Sequence, residues 1–180
     1  MEKERLKNLN FKEILKGIEA FIFDIDGVLS SSKLIVIENG ELLRTTNVKD
    51  GYVLKYALRK GFKIFIISGG LNKDIQQRFK KLGIEHVKIA CSNKIEEFEK
   101  IIKEHKFNVD NVLYMGDDIP DYQIMEKVGF PCCPADAASE IKEISLYISD
   151  KNGGDGCVRD IVEQVLRAKG DWMCEDSFRT

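Results

Sequence analysis

A chain of 180 residues has room for one domain with a full core and little more. Its apolar fraction of 43% and charged fraction of 32% are those of an ordinary soluble globular protein. A formal net charge of −2 excludes a broadly basic surface, so neither nucleic acid nor an anionic membrane is expected as a partner.

Residues 1–18 are charged, lack the apolar stretch of a signal peptide, and are expected to form an N-terminal extension. No run approaches the roughly 18 apolar residues of a membrane span, and the cytoplasm is the expected compartment. The main domain, residues 19–170, opens with a strand at Phe21–Phe23. Two strand-like runs within Lys33–Thr46 then flank Glu38-Asn39-Gly40-Glu41, and Asn-Gly between apolar runs predicts a β-hairpin because both turn residues must tolerate positive φ. A helix over Tyr52–Arg59 stops at Gly61, a strand covers Ile64–Ile67, and a helix over Lys73–Leu82 stops at Gly83. After a strand at Val87–Ile89, the helix Ile95–His105 carries Ile95, Phe98, Ile101 and Ile102 on one face. Strands follow at Val112–Met115, more weakly near Phe130–Cys133, and at Leu146–Ile148, before a helix over Val158–Ala168 that ends at Gly170 and a tail, 171–180. This alternation predicts an α/β, Rossmann-like fold: a mostly parallel sheet with helices on both faces. Five cysteines with no metal-site spacing read as reduced thiols, and His86 and His105 as structural or solvent-facing residues.

In a parallel α/β sheet, ligands bind beyond the carboxyl ends of the strands. The first strand runs into Asp24-Ile25-Asp26-Gly27-Val28, two carboxylates that repel unless a cation sits between them. A hard divalent ion such as Mg²⁺ resolves that conflict. The second strand ends in Ser68-Gly69-Gly70, a hydroxyl and exposed amides suited to a phosphoryl oxygen. Another ends in Gly116-Asp117-Asp118, with Asp117 expected to cap a helix and Asp121 one turn further on. Between them Lys94 opens a helix and can balance the acidic cluster.

Taken together, Asp24-Ile25-Asp26-Gly27-Val28, Ser68, Lys94 and Gly116-Asp117-Asp118 with Asp121 resemble the four motifs of haloacid dehalogenase-like phosphatases. Asn47-Val48-Lys49-Asp50-Gly51 and Gly153-Gly154-Asp155-Gly156-Cys157-Val158-Arg159-Asp160 narrow the resemblance to 3-deoxy-D-manno-octulosonate (KDO) 8-phosphate phosphatases. The resemblance implies Asp24 as nucleophile, Asp26 as acid and then base, and Ser68 and Lys94 on the phosphoryl oxygens. It implies Mg²⁺ on Asp24, the Asp26 main-chain carbonyl and Asp117, with Asp118 and Asp121 as supporting or lysine-orienting groups. Lys49, Gly69, Gly70 and Arg159 become candidate substrate contacts. A phosphatase for a sialic-acid-type 9-phosphate, and a non-catalytic oligomerisation module of the same fold, are the alternatives.

From Asp24 to Ser68 is 44 positions, from Ser68 to Lys94 26, and from Lys94 to Asp117 23, which leaves no room for an inserted cap domain. The site must then stay open, be closed by the Lys33–Thr46 hairpin acting as a flap, or borrow a neighbouring subunit; the resemblance implies the last two together, a homotetramer with sites near subunit boundaries. Many relatives carry an arginine directly after the second motif. Here Gly70 and Leu71 stand in those places, and Lys73 and Arg78 downstream are the candidates to replace it.

Overall fold

The structure, a computed structural model, describes residues 11–178. Helix α1 (Phe11–Gly17) leads into strand β1 (Ala20–Phe23), and β2 (Ile35–Val36) pairs antiparallel with β3 (Leu42–Leu43). Next come α2 (Val48–Arg59), β4 (Lys63–Ile67), α3 (Lys73–Lys81), β5 (His86–Lys88), α4 (Lys94–His105) and β6 (Val112–Met115). A 3₁₀ turn at Ile119–Asp121 opens onto α5 (Tyr122–Met125), followed by β7 (Phe130–Cys133), α6 (Ser139–Ile144), β8 (Tyr147–Ile148) and α7 (Cys157–Lys169).

Six strands form one sheet in the order β5-β4-β1-β6-β7-β8, every neighbour parallel. The chain builds outward from β1 through β4 to β5, then crosses back to lay down β6, β7 and β8 on the other side. β1 is therefore the strand at which the order reverses, where α/β sheets open a crevice at their carboxyl ends.

Side chains alternate between two cores because successive residues of a strand face opposite ways. Phe21, Phe23, Ile64, Ile66, Leu113 and Met115 pack against α1, α2, α3 and α7. Ile22, Phe65, Ile67, Val112 and Tyr114 pack against α4, α5 and α6. All the strand residues from Ala20 to Phe23 are buried, the pattern of a central strand covered on both faces. Full burial of each such phenylalanine contributes about 2–3 kcal/mol.

The expected strands and long helices form within a residue or two, except that α2 begins at Val48 rather than Tyr52. Its cap is Asn47, whose side chain accepts from the Lys49 amide. Residues 1–10 of the expected extension lie outside the described residues, while 11–18 pack onto the core through buried Leu15 and Ile18, with Phe11 against Phe130 and Tyr147. The tail folds back onto its own chain. Tyr56 donates to the Asp171 carbonyl at 2.5 Å, Tyr52 donates to that of Ser177, and the Arg159 guanidinium lies 4.7 Å over the Trp172 ring. Among the described residues no helix is long and apolar enough to cross a membrane.

Asp50, in the first turn of α2, ties α2 to α7 by accepting the Arg159 amide at 2.6 Å. Burial, opposed by that hydrogen bond, pushes its carboxyl up to about 6 from 3.8. The folded protein thus holds a proton that the unfolded chain releases between those values. This stabilisation is complete below about pH 4 and is lost as pH rises through about 6. Denaturant titrations of wild type and Asp50→Asn from pH 4 to 8 are expected to show the gap moving in the variant's favour by about 1–3 kcal/mol. A gap independent of pH contradicts this assignment.

Candidate active site

Asp24 is the first residue beyond β1, and its amide donates to the Met115 carbonyl of β6 at 3.1 Å. The chain then turns sharply, with the Gly27 and Ser30 amides donating to the Ser30 and Ile25 carbonyls respectively. Gly27 has φ +88°, and a Cβ there would fall 1.9 Å from an Asp117 carboxylate oxygen. Only glycine serves at this position, because both the backbone angle and the approach of Asp117 demand it. The Gly153-Gly154 segment braces the other side: a Cβ on Gly153 would meet the Gly27 carbonyl at 2.0 Å, and the Gly154 amide donates to Val28. The glycines that helped identify the chain are thus a seat for the loop that carries Asp24 and Asp26.

Lys94 is the first residue of α4, a place where the helix dipole disfavours a cation. Two carboxylates override that. Its ammonium donates to Asp121 Oδ1 at 2.7 Å and lies 3.0 Å from Asp24 Oδ1. Burial alone depresses the ammonium, but Asp24 and Asp121 outweigh it and hold it above its ordinary value. Asp121 has no exposed surface and also accepts from Tyr114 Oη at 2.6 Å and the Asp117 amide at 3.2 Å. With its lone pairs so committed, Asp121 orients Lys94. Asp117 is not the expected helix cap: the 3₁₀ turn starts from Asp118, which is exposed and makes no side-chain cap bond.

Burial first, then the charge of Asp121, raises Asp24 to about 7 in spite of Lys94. Asp117 rises to about 8 from burial and then the charge of Asp24. Although Lys94 is close, Asp24 Oδ1 is buried without an aligned hydrogen-bond donor. Carboxylate oxygens of Asp24, Asp117 and Asp121 lie within 4.8 Å of one another. An orphaned carboxylate oxygen among hard oxygen donors fits a divalent cation, and Asp24 and Asp117 are the two with oxygens to offer.

Asp24, Asp26, Ser68, Gly69, Gly70, Lys94, Asp117, Asp118 and Asp121 all line one cavity of about 560 Å³. Ser68 is buried at the end of β4, its hydroxyl accepting the Gly70 amide at 3.2 Å. Lys49 and Arg159 are not brought here; they line a separate cavity of about 480 Å³. Arg159 is spent elsewhere, bonded to Glu163 at 2.8 Å and stacked over Tyr52 and Trp172. Among the described residues of one chain, this packing keeps both cations apart from the cavity that Asp24 lines.

One residue of the site escaped the sequence analysis. Arg44, just past β3, forks onto Asp26 with Nε 2.6 Å from Oδ1 and Nη2 2.8 Å from Oδ2. A Cβ on Gly70 would lie 3.0 Å from the same Nη2. The hairpin therefore does reach the site, and it brings the cation with it. Neither Lys73 nor Arg78 lines the cavity; Arg78 extends instead toward Gly51 in α2. A signal was present in the sequence: an arginine closing a run of exposed apolar residues on a predicted flap.

Residues 89–161 match the family model of haloacid dehalogenase-like hydrolases. The chain is 36% identical over 155 residues to the 3-deoxy-D-manno-octulosonate 8-phosphate phosphatase KdsC of Salmonella typhi, covering 86% of this chain and 82% of that one. A probable YrbI family phosphatase from Pseudomonas syringae superposes with a TM-score of 0.86 at 34% identity, over 89% of this chain and 92% of that one. The KDO 8-phosphate phosphatase of Moraxella catarrhalis, solved with magnesium, phosphate and KDO, superposes with a TM-score of 0.85 at 28% identity over the same shares. With the motif residues gathered in one cavity at the switch point of the sheet, the chain belongs to the haloacid dehalogenase-like hydrolases, among the relatives of the KDO 8-phosphate phosphatases, and is a phosphoric monoester hydrolase.

Proposed function

We propose that the chain hydrolyses KDO 8-phosphate to KDO and phosphate through an aspartyl-phosphate on Asp24, with Mg²⁺ as cofactor. The observation that carries this reading is the convergence of Asp24, Lys94 and Asp117 at the end of the central strand, beside Ser68 and the Gly69-Gly70 amides. An Asp24 oxygen attacks phosphorus, the P–O bond to the sugar breaks, and Asp26 gives its proton to the leaving alkoxide. In the second step Asp26 takes a proton from water, whose oxygen attacks phosphorus and frees Asp24. Asp24, Asp117 and the Asp26 carbonyl would hold Mg²⁺, which would supply the positive charge that lets one anion attack another. Lys94 and Ser68 hold the phosphoryl oxygens in line, since this chemistry depends chiefly on positioning and charge. Asp121 keeps Lys94 aimed.

The substrate assignment rests on the similarity to the named phosphatases and is tested by phosphate release from a panel. KDO 8-phosphate, N-acetylneuraminate 9-phosphate, mannose 6-phosphate and 4-nitrophenyl phosphate are compared by kcat/KM. KDO 8-phosphate is expected to lead by at least about tenfold; the sialic acid phosphate leading instead would overturn the assignment while leaving the mechanism in place.

The chain is further read as a cytoplasmic homotetramer. Unpaired thiols support a reducing compartment, since all five cysteines are free. Ile35, Val36, Leu42 and Leu43 of the hairpin are exposed, an apolar surface suited to a second copy. Light scattering is expected to give a multiple of the 20.5 kDa chain mass. A monodisperse species at that mass would refute assembly.

A further inference from the structure

We propose that Arg44 is the specificity-determining residue of this phosphatase, binding the carboxylate of the sugar acid through the free edge of its guanidinium. The inference rests on the proposed substrate class and names the group that reads it.

Three observations carry it. The Arg44 side chain is only 6% exposed, whereas its neighbours Leu42 and Leu43 are 39% and 48% exposed. The hairpin thus turns its cation inward and its apolar residues outward, the reverse of ordinary partitioning. Second, only one edge of the guanidinium is used. Nε and Nη2 grip Asp26, while Nη1 is buried with no hydrogen-bond partner among the described residues. A buried donor left without an acceptor is costly, and the remaining Nη1/Nη2 edge has the fork geometry that matches a second carboxylate. Third, Asp26 and Gly70 place it. Asp26 is the group that must reach the ester oxygen, so a cation fixed on Asp26 faces the organic part of the monoester.

Charge accounting points the same way. Among the described residues lining the cavity, Lys94 is the only cation, and Asp24 and Asp121 already claim it. A substrate that brings a carboxylate besides its phosphate needs another cation. Arg44 supplies it from the hairpin, over Gly70, whose missing side chain leaves the space the guanidinium fills.

The test compares wild type, Arg44→Gln and Arg44→Lys on KDO 8-phosphate, N-acetylneuraminate 9-phosphate and the uncarboxylated mannose 6-phosphate, with thermal melts to confirm folding. Effects transmitted through Asp26 reach every substrate, so the ratio of kcat/KM values isolates the carboxylate. Arg44→Gln is expected to lower the ratio of the preferred sugar-acid phosphate to mannose 6-phosphate by about 10- to 100-fold, mainly through KM. Arg44→Lys is expected to recover part of it, keeping the charge but not the fork. Inhibition by free KDO is expected to weaken in parallel. An unchanged ratio in both variants overturns the proposal and reduces Arg44 to a positioning residue for Asp26. A wild type without preference for the carboxylated phosphates overturns the substrate reading and this inference together, before any variant is made.

Discussion

Asp24→Asn is expected to lower turnover of 4-nitrophenyl phosphate by about four to six orders of magnitude, the loss typical of removing a nucleophile. The substitution keeps the shape of the side chain and removes only its ability to attack. Stability gives the control. The Asp24 carboxylate is buried and faces the charge of Asp121, which is why it is raised to about 7. A neutral amide removes that cost, and Lys94 keeps Asp121 as its partner. The melting temperature is therefore expected to be unchanged or higher while activity disappears. Residual turnover within tenfold of wild type would rule out Asp24 as the attacking group.

Chelation is expected to have the second largest effect, with EDTA lowering turnover at least about a thousandfold and excess Mg²⁺ restoring it. Asp24, Asp117 and Asp121 bring oxygens within 4.8 Å of one another with only Lys94 between them. A bound cation relieves that repulsion in the folded state alone, so it must also raise stability. At a hundredfold excess over its dissociation constant, the gain is about 2.7 kcal/mol, a rise of roughly 5–10 °C in melting temperature for a chain this size. Asp117→Asn is expected to abolish the rise, which needs no substrate to observe. A melting temperature indifferent to Mg²⁺ and EDTA would contradict the cation site.

The fold and the chemistry were legible in the sequence for a shared reason. Asp24 and Ser68 follow directly on buried strands, and Asp117 follows a third after one intervening residue, so the strand pattern fixes their end of the sheet. The part that was not legible depends on docking between distant segments. Arg44 sits on a hairpin whose apolar residues face outward, and no core contact fixes which way its side chain turns. Asp50 has the look of a cap for its own helix, yet it serves the Arg159 amide 109 residues away. Arg159 stacks on Trp172, in a tail whose folding back leaves no periodic trace. Helix α1 is a different case, since Phe11, Ile14, Leu15 and Ile18 do carry helical spacing, but a seven-residue element flanked by charges is easily passed over.

The glycine seat behind the loop that carries Asp24 is also a long-range closure. Cys157 donates its thiol to the Val28 carbonyl across 129 residues of chain, alongside the Gly154 bond to the same oxygen. Contacts so distant in sequence close late, because the entropy of the intervening loop must be overcome before they form. During synthesis, the segment carrying Asp24 leaves the ribosome long before its support exists. The nascent chain can assemble strands and bury phenylalanines before this loop is seated, and the seat is complete only once the segment through Cys157 has joined it.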